Sequence, residues 1–130
     1  MIQHHDSPQG LPPTNGYSHA VSGTGRLVVV SGQLPLDPSG RLVAADDALA
    51  QARQVFANLA AALELAGAGP ADVVRLGFYL TDLADLGAVR TARDEFLGDR
   101  RPPASSLVQV AGLVVPEARI EVDALAVVGD

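Results

Sequence analysis

The chain has 130 residues, a length that fits one domain with a modest core. It contains no cysteine, which excludes disulfides and thiolate chemistry, and its three histidines (His4, His5 and His19) all lie near the start, which argues against a metal cluster. Fifteen acidic against nine basic residues give a net charge of −6; that balance repels nucleic-acid phosphates, and only Arg100 and Arg101 are adjacent bases.

Residues 1–16 are polar and turn-rich, with Pro8, Gly10, Pro12, Pro13 and Gly16. They predict an extended arm without secondary structure, followed by a single domain over 17–130. A short strand is expected over 17–21, broken by Gly23 and Gly25, and a clear one over 26–33 that is apolar on both faces through its middle. After a turn at 34–40, residues 41–43 suggest a short edge strand. Residues 46–65 are the strongest helix: Asp46 or Asp47 can cap it, and Leu49, Ala52, Phe56, Leu59, Leu63 and Ala66 recur on one face. Gly67 suits its left-handed end. A strand over 72–80 follows, with Val74, Leu76 and Phe78 facing one way and Val73, Arg75 and Tyr79 the other. The second helix spans 82–97, with Leu86, Val89, Ala92 and Phe96 inward. Two last strands cover 105–110 and 119–128.

This order predicts an α+β fold, a mixed sheet with two helices packed on one face. The strands at 27–30, 107–110 and 125–128 carry apolar side chains on both faces, so the second face needs another cover. One domain of this size has nothing left to supply it, and an oligomer of undefined number is expected. No segment has the pattern of a signal peptide or the length to span a bilayer. The expectation is a soluble, cytoplasmic protein with no membrane partner.

The residues with chemistry to offer are few. In 119–123, Ile120 and Val122 face the core while Arg119, Glu121 and Asp123 share the other face. The alternation alone describes a solvated or interface surface with charges pairing between strands. Tyr17 opens a strand, where a tyrosine is an amphipathic rim residue or a phenol at a cleft mouth. Ser31-Gly32 fits a close backbone approach to a ligand or, equally, a bulge or crowded subunit contact. Arg90 stands four residues before Asp94, the spacing of an exposed helical ion pair.

The order and spacing of several pieces resemble the RidA/YjgF family. These are Tyr17-Ser18-His19-Ala20-Val21, Val29-Val30-Ser31-Gly32-Gln33, Asp72-Val73-Val74-Arg75, Tyr79-Leu80-Thr81-Asp82, Pro103-Ala104-Ser105-Ser106 and the strand around Glu121. The resemblance covers nearly the whole chain after residue 16. It implies the chorismate-mutase-like RidA fold, and a homotrimer whose sheets form a central barrel with clefts between subunits. The implied activity is hydrolysis of reactive enamines and imines to a carbonyl compound and ammonia, without metal or cofactor. It also implies that Glu121 orients and activates the attacking water, a role a carboxylate can fill if partial burial raises its pKa. Tyr17, Ser31 and Gly32 would line the substrate cleft.

The chain departs from that pattern at one telling position. The third residue of the Pro103–Ser106 motif is usually an arginine that grips the substrate carboxylate; here it is Ser105. A desolvated bidentate guanidinium is worth roughly a few kcal/mol, and one neutral hydrogen bond about 1 kcal/mol. Leu107, two residues on, makes the pocket floor apolar. Another cation could compensate, Arg90 first, with Arg93, Arg100 and Arg101 weaker candidates. The expectation is therefore a small-molecule substrate that lacks a carboxylate, or is larger and less polar. A non-catalytic metabolite-binding or regulatory role is the alternative. Ribonuclease activity ranks last, given the charge and the lack of a histidine pair.

Overall fold

Asp47 begins the long helix that the apolar periodicity predicts. Its carboxylate accepts from the Ala50 amide at 3.0 Å, satisfying a donor that a helix start leaves unpaired, and α1 runs over Ala48–Leu65. Ala52, Phe56, Leu59 and Leu63 are buried along its inner face, while Leu49 and Ala66 are only partly covered. The helix closes at Gly67, whose φ is +75°, and the Ala68 amide donates back to the Leu63 carbonyl at 2.9 Å.

The computed structural model describes residues 1–6 and 10–129. Ahead of α1 lie β1 (Ile2–His5), β2 (Ala20–Gly23) and β3 (Arg26–Gln33). After it come β4 (Val73–Leu80), α2 (Leu86–Leu97), β5 (Ala104–Gln109) and β6 (Ile120–Val128). Four strands form a mixed sheet in the order β3-β6-β4-β5, antiparallel except where β5 runs parallel to β4. A parallel pair needs a crossover, which α2 supplies. β1 and β2 make a separate antiparallel ribbon.

Alternation along β6 shows how the sheet is layered. Ile120, Val122, Ala124 and Ala126 are buried, and the residues between them are only partly covered. The buried set joins Leu59 and Leu63 of α1 with Leu76, Phe78 and Val89 in one core. The expected α+β architecture is thus present, with α1 packed on β3, β6 and α2. On the uncovered face Leu27 is 62% exposed and Val29 68%, so the chain leaves a large apolar surface open. No helix among the described residues is long and apolar enough to cross a membrane.

Some expectations are corrected. The first sixteen residues carry a strand, β1, although Ile2-Gln3-His4-His5 shows little apolar pattern; pairing with β2 forms it, not local propensity. Pro8, part of the same expected arm, lies outside the described residues. The strand expected over 17–21 begins only at Ala20. The edge strand at 41–43 is reduced to a single bridge, Leu36 to Leu42, because the Asp37 carboxylate takes the amides of Ser39 and Arg41 at 2.9 and 3.0 Å and folds the segment as a turn. In β4, a register shift between Val73 and Arg75 puts Val73 into the core and leaves Val74 partly exposed. Arg119 precedes β6 rather than sharing Glu121's face; its guanidinium donates to Asp85 at 3.2 Å and to the Ala45 carbonyl at 3.3 Å.

Candidate functional site

Sheet register sorts the predicted site residues into two groups. Ser105 pairs with Leu76, and Leu107 with Phe78, so both point to the face the helices cover. Glu121 pairs with Tyr79, one step out of phase, and points to the open face. Within the chain, Ser105 and Glu121 therefore lie on opposite sides of the sheet.

The first group meets in a cavity of about 180 Å³ lined by Asn15, Tyr17, Phe78, Leu86, Val89, Arg90, Arg93, Ser105 and Leu107. Tyr17 arrives there because its neighbour Ser18 is pinned to the entry of β5. The Ser18 amide donates to the Pro103 carbonyl at 3.0 Å, and its buried hydroxyl to the Pro102 carbonyl at 2.5 Å. His4 of β1 adds Nδ1 to the same carbonyl at 3.0 Å. The ring of Tyr17 also meets that of His19 edge to face, with centroids 6.0 Å apart.

Helix α2 supplies the cavity's charge. Leu86, Val89, Arg90 and Arg93 follow the spacing that places residues on one helical face. The exposed pair expected between Arg90 and Asp94 is absent; Asp94 instead bonds Arg93, at 2.9 Å to Nη2 and 3.0 Å to Nε. The Arg93 side chain is only 12% exposed and lies against Gly16, where an added Cβ would sit 2.4 Å from Nη2. Gly16 also has a φ of +74°, so both space and backbone require glycine there. Arg100 and Arg101 are engaged elsewhere, with the Leu97 carbonyl and with Asp6.

The second group forms around a bulge. Between β3 and β6 the register slips between Val30 and Gln33, so Ser31 and Gly32 bow out of the ladder. The bulge reading of this segment holds, and it has a purpose. The Glu121 carboxylate occupies the space a side chain at 32 would need, with Oε2 2.2 Å from an ideal Cβ. Beside it on the open face, Tyr79 donates to Asp123 Oδ2 at 3.0 Å and Arg75 sits 3.5 Å from Oδ1. The hydrogen bond to the Asp123 carboxylate, then its charge, raises the Tyr79 phenol above its ordinary pKa.

Sequence reasoning gave Arg93 a minor place and missed Asn15 altogether. The helical spacing of Val89, Arg90 and Arg93 carried a signal for the first; nothing local marks the second. A larger cavity of about 510 Å³, lined by Asp46, Asp82, Glu117 and Arg119 among others, holds none of the predicted residues. Among the described residues no group of three or more His, Cys, Asp or Glu side chains is placed to hold a metal ion.

A sequence model of the family described as Endoribonuclease L-PSP matches residues 8–128. The 2-iminobutanoate/2-iminopropanoate deaminase of Salmonella typhimurium is 38% identical over 105 residues, covering 79% of this chain and 80% of that protein. The 3-aminoacrylate deaminase RutC of Acinetobacter baylyi is 37% identical over 119 residues, covering 92% and 93%. Among solved structures, the Rid-family protein YyfB of Yersinia pestis, described as of unknown function, superposes with a TM-score of 0.86 at 37% identity, covering 98% of both chains.

Proposed function

Since the chain belongs to the Endoribonuclease L-PSP (RidA/YjgF) family, we propose that it hydrolyses a reactive enamine or imine to a carbonyl compound and ammonia. The carrying observation is the Glu121 carboxylate seated over the Gly32 bulge, a base fixed beside an opening in the ladder. In this reading Glu121 takes a proton from water as the oxygen attacks the C=N carbon. The carbinolamine so formed collapses to C=O, and ammonia leaves with the protons supplied by water. Water and imine are consumed in equal number, and the reaction needs no cofactor.

Because Ser105 and Glu121 point to opposite faces, a complete site needs both faces brought together. We infer a homotrimer, with Glu121 of one protomer facing the Tyr17–Ser105 cavity of the next across a cleft. The open apolar face with Leu27 and Val29 supports this assembly. Val29→Glu is expected to yield monomers by analytical ultracentrifugation and to abolish turnover while each chain stays folded. A trimer that survives this charge in its contact face would refute the arrangement.

Strand β5 offers a serine hydroxyl and the Leu107 side chain where the family resemblance leads one to expect a cation, so the strand itself does not select an acid. The ribonuclease role suggested by the family's description has little support. His4, His5 and His19 are each engaged in structural hydrogen bonds, with Pro102, Ser22 and Pro12, and the net charge of −6 disfavours RNA. The direct test mixes the protein with imines generated in situ and follows ammonia release above the spontaneous rate. Acceleration supports hydrolysis; metabolite binding without any acceleration would favour the non-catalytic alternative, which the loss of the strand arginine makes the second reading.

A further inference from the structure

Charge is distributed unevenly between the cavity and the rest of the chain. Fifteen acids outnumber nine bases overall, yet the cavity beside Ser105 is lined by two arginines and no acid. The two are not equivalent. Arg93 is held by Asp94, whose own side chain is 67% exposed, and is packed flat against Gly16. Arg90 forms no ion pair or side-chain hydrogen bond among the described residues, although it is half-buried between apolar neighbours such as Leu86 and Val89. A guanidinium that reaches such a recess without a protein partner is open to an anion, whose oxygens its planar fork of donors suits better than water does.

We propose that Arg90 is the substrate's anion anchor, replacing from α2 the arginine that β5 lacks, so that the cavity takes an imine or enamine bearing a carboxylate. This rests on the deaminase reading and reverses one expectation from the sequence, that losing the strand arginine removes selection for an acid. The grip has moved from the sheet to the helix layer facing it. Arg93, clamped and partly neutralised by Asp94, lines the same cavity. Ser105 donates at most one further hydrogen bond.

The test compares wild type, Arg90→Gln and Arg90→Lys on imines formed in situ. An amino-acid oxidase makes them from alanine and glutamate, and a flavin amine oxidase makes one from a monoamine with no acid. Binding of glutarate, a non-reactive dicarboxylate, is followed in parallel by NMR titration. Arg90→Gln is expected to lower kcat/KM for the carboxylated imines about 10- to 100-fold, as for losing a charged hydrogen bond, and to leave the neutral imine within about twofold. Arg90→Lys should fall between, and adding Ser105→Arg to Arg90→Gln should restore part of the loss. Equal losses on neutral and carboxylated imines, or no loss on either, would overturn the assignment. If no imine is hydrolysed but Arg90→Gln still weakens glutarate about tenfold, the deaminase reading fails and the anion anchor stands. If neither hydrolysis nor glutarate binding is seen in wild type, both fail.

Discussion

Replacing Glu121 by glutamine is expected to slow imine hydrolysis at least about a hundredfold, the scale of a lost general base. The substitution keeps the shape and polarity of the side chain while removing its charge and basicity, and no hydrogen bond among the described residues depends on that carboxylate, so oligomeric state and melting temperature should hold. Gly32→Ala offers an independent approach to the same carboxylate. The backbone at 32 is not in a glycine-only region, so the effect is one of space. The new methyl would lie 2.2 Å from Glu121 Oε2 and 2.7 Å from Cδ, and the carboxylate must swing away. Turnover should then fall about tenfold or more with Glu121 still present. Wild-type rates in Glu121→Gln would remove this residue from the mechanism outright.

The second large effect concerns stability, and its source is a single buried amide. Gln51 on α1 is fully buried, and its Nε2 donates to the carbonyls of Ala44 at 3.3 Å and Glu117 at 3.2 Å. Its Oε1 accepts from the Arg119 amide at 2.8 Å. Ala44 and Glu117, with φ of 43° and 68°, are the non-glycine residues among those described whose backbone is left-handed. One side chain thus ties down two strained turns and the residue that leads into β6. Gln51→Leu would take from the Glu117 carbonyl and the Arg119 amide the partner they have here, whereas the Ala44 carbonyl keeps the Asp47 amide at 2.8 Å. At 1–3 kcal/mol for each, partly relieved by rearrangement, a loss of about 3 kcal/mol is expected, or roughly 10 °C in melting temperature. Glu117→Gly, which removes the steric cost of the left-handed turn, should change stability by no more than about 1 kcal/mol, in either direction. A Gln51→Leu protein that melts with wild type would show that these hydrogen bonds contribute nothing net.

The elements legible in the sequence are those whose signal is local. Strand β3 begins and ends at the residues expected, because a Val-rich run between Gly25 and the turn at Leu34-Pro35 admits little else. Helix α1 was bounded by its cap and its glycine. Strand β1 was illegible for the opposite reason: one isoleucine among polar residues has no reason to extend until β2 stands beside it. The site divides the same way. Alternation along β6 correctly sent Glu121 away from the core, whereas the gathering of Tyr17, Ser105 and Leu107 came from the family resemblance. That Ser105 faces the other way follows only from the pairing of β5, β4 and β6, which no local pattern contains. Nor could spacing decide which arginine Asp94 would choose. The four-residue interval favoured Arg90, and the adjacent Arg93 took the carboxylate by folding back along the helix.

In the proposed trimer, the opposed directions of Ser105 and Glu121 would make each chain half of two different workplaces. A chain with a damaged Arg90 still lends a sound Glu121 to one neighbour, and a chain lacking Glu121 still offers the other a sound cavity. Mixed and reassembled, the two variants, each impaired on carboxylated imines, should regain about a quarter of the wild-type sites for them, the share that random trimers would bring into correct pairing. The fold would then let inherited defects in two copies conceal one another.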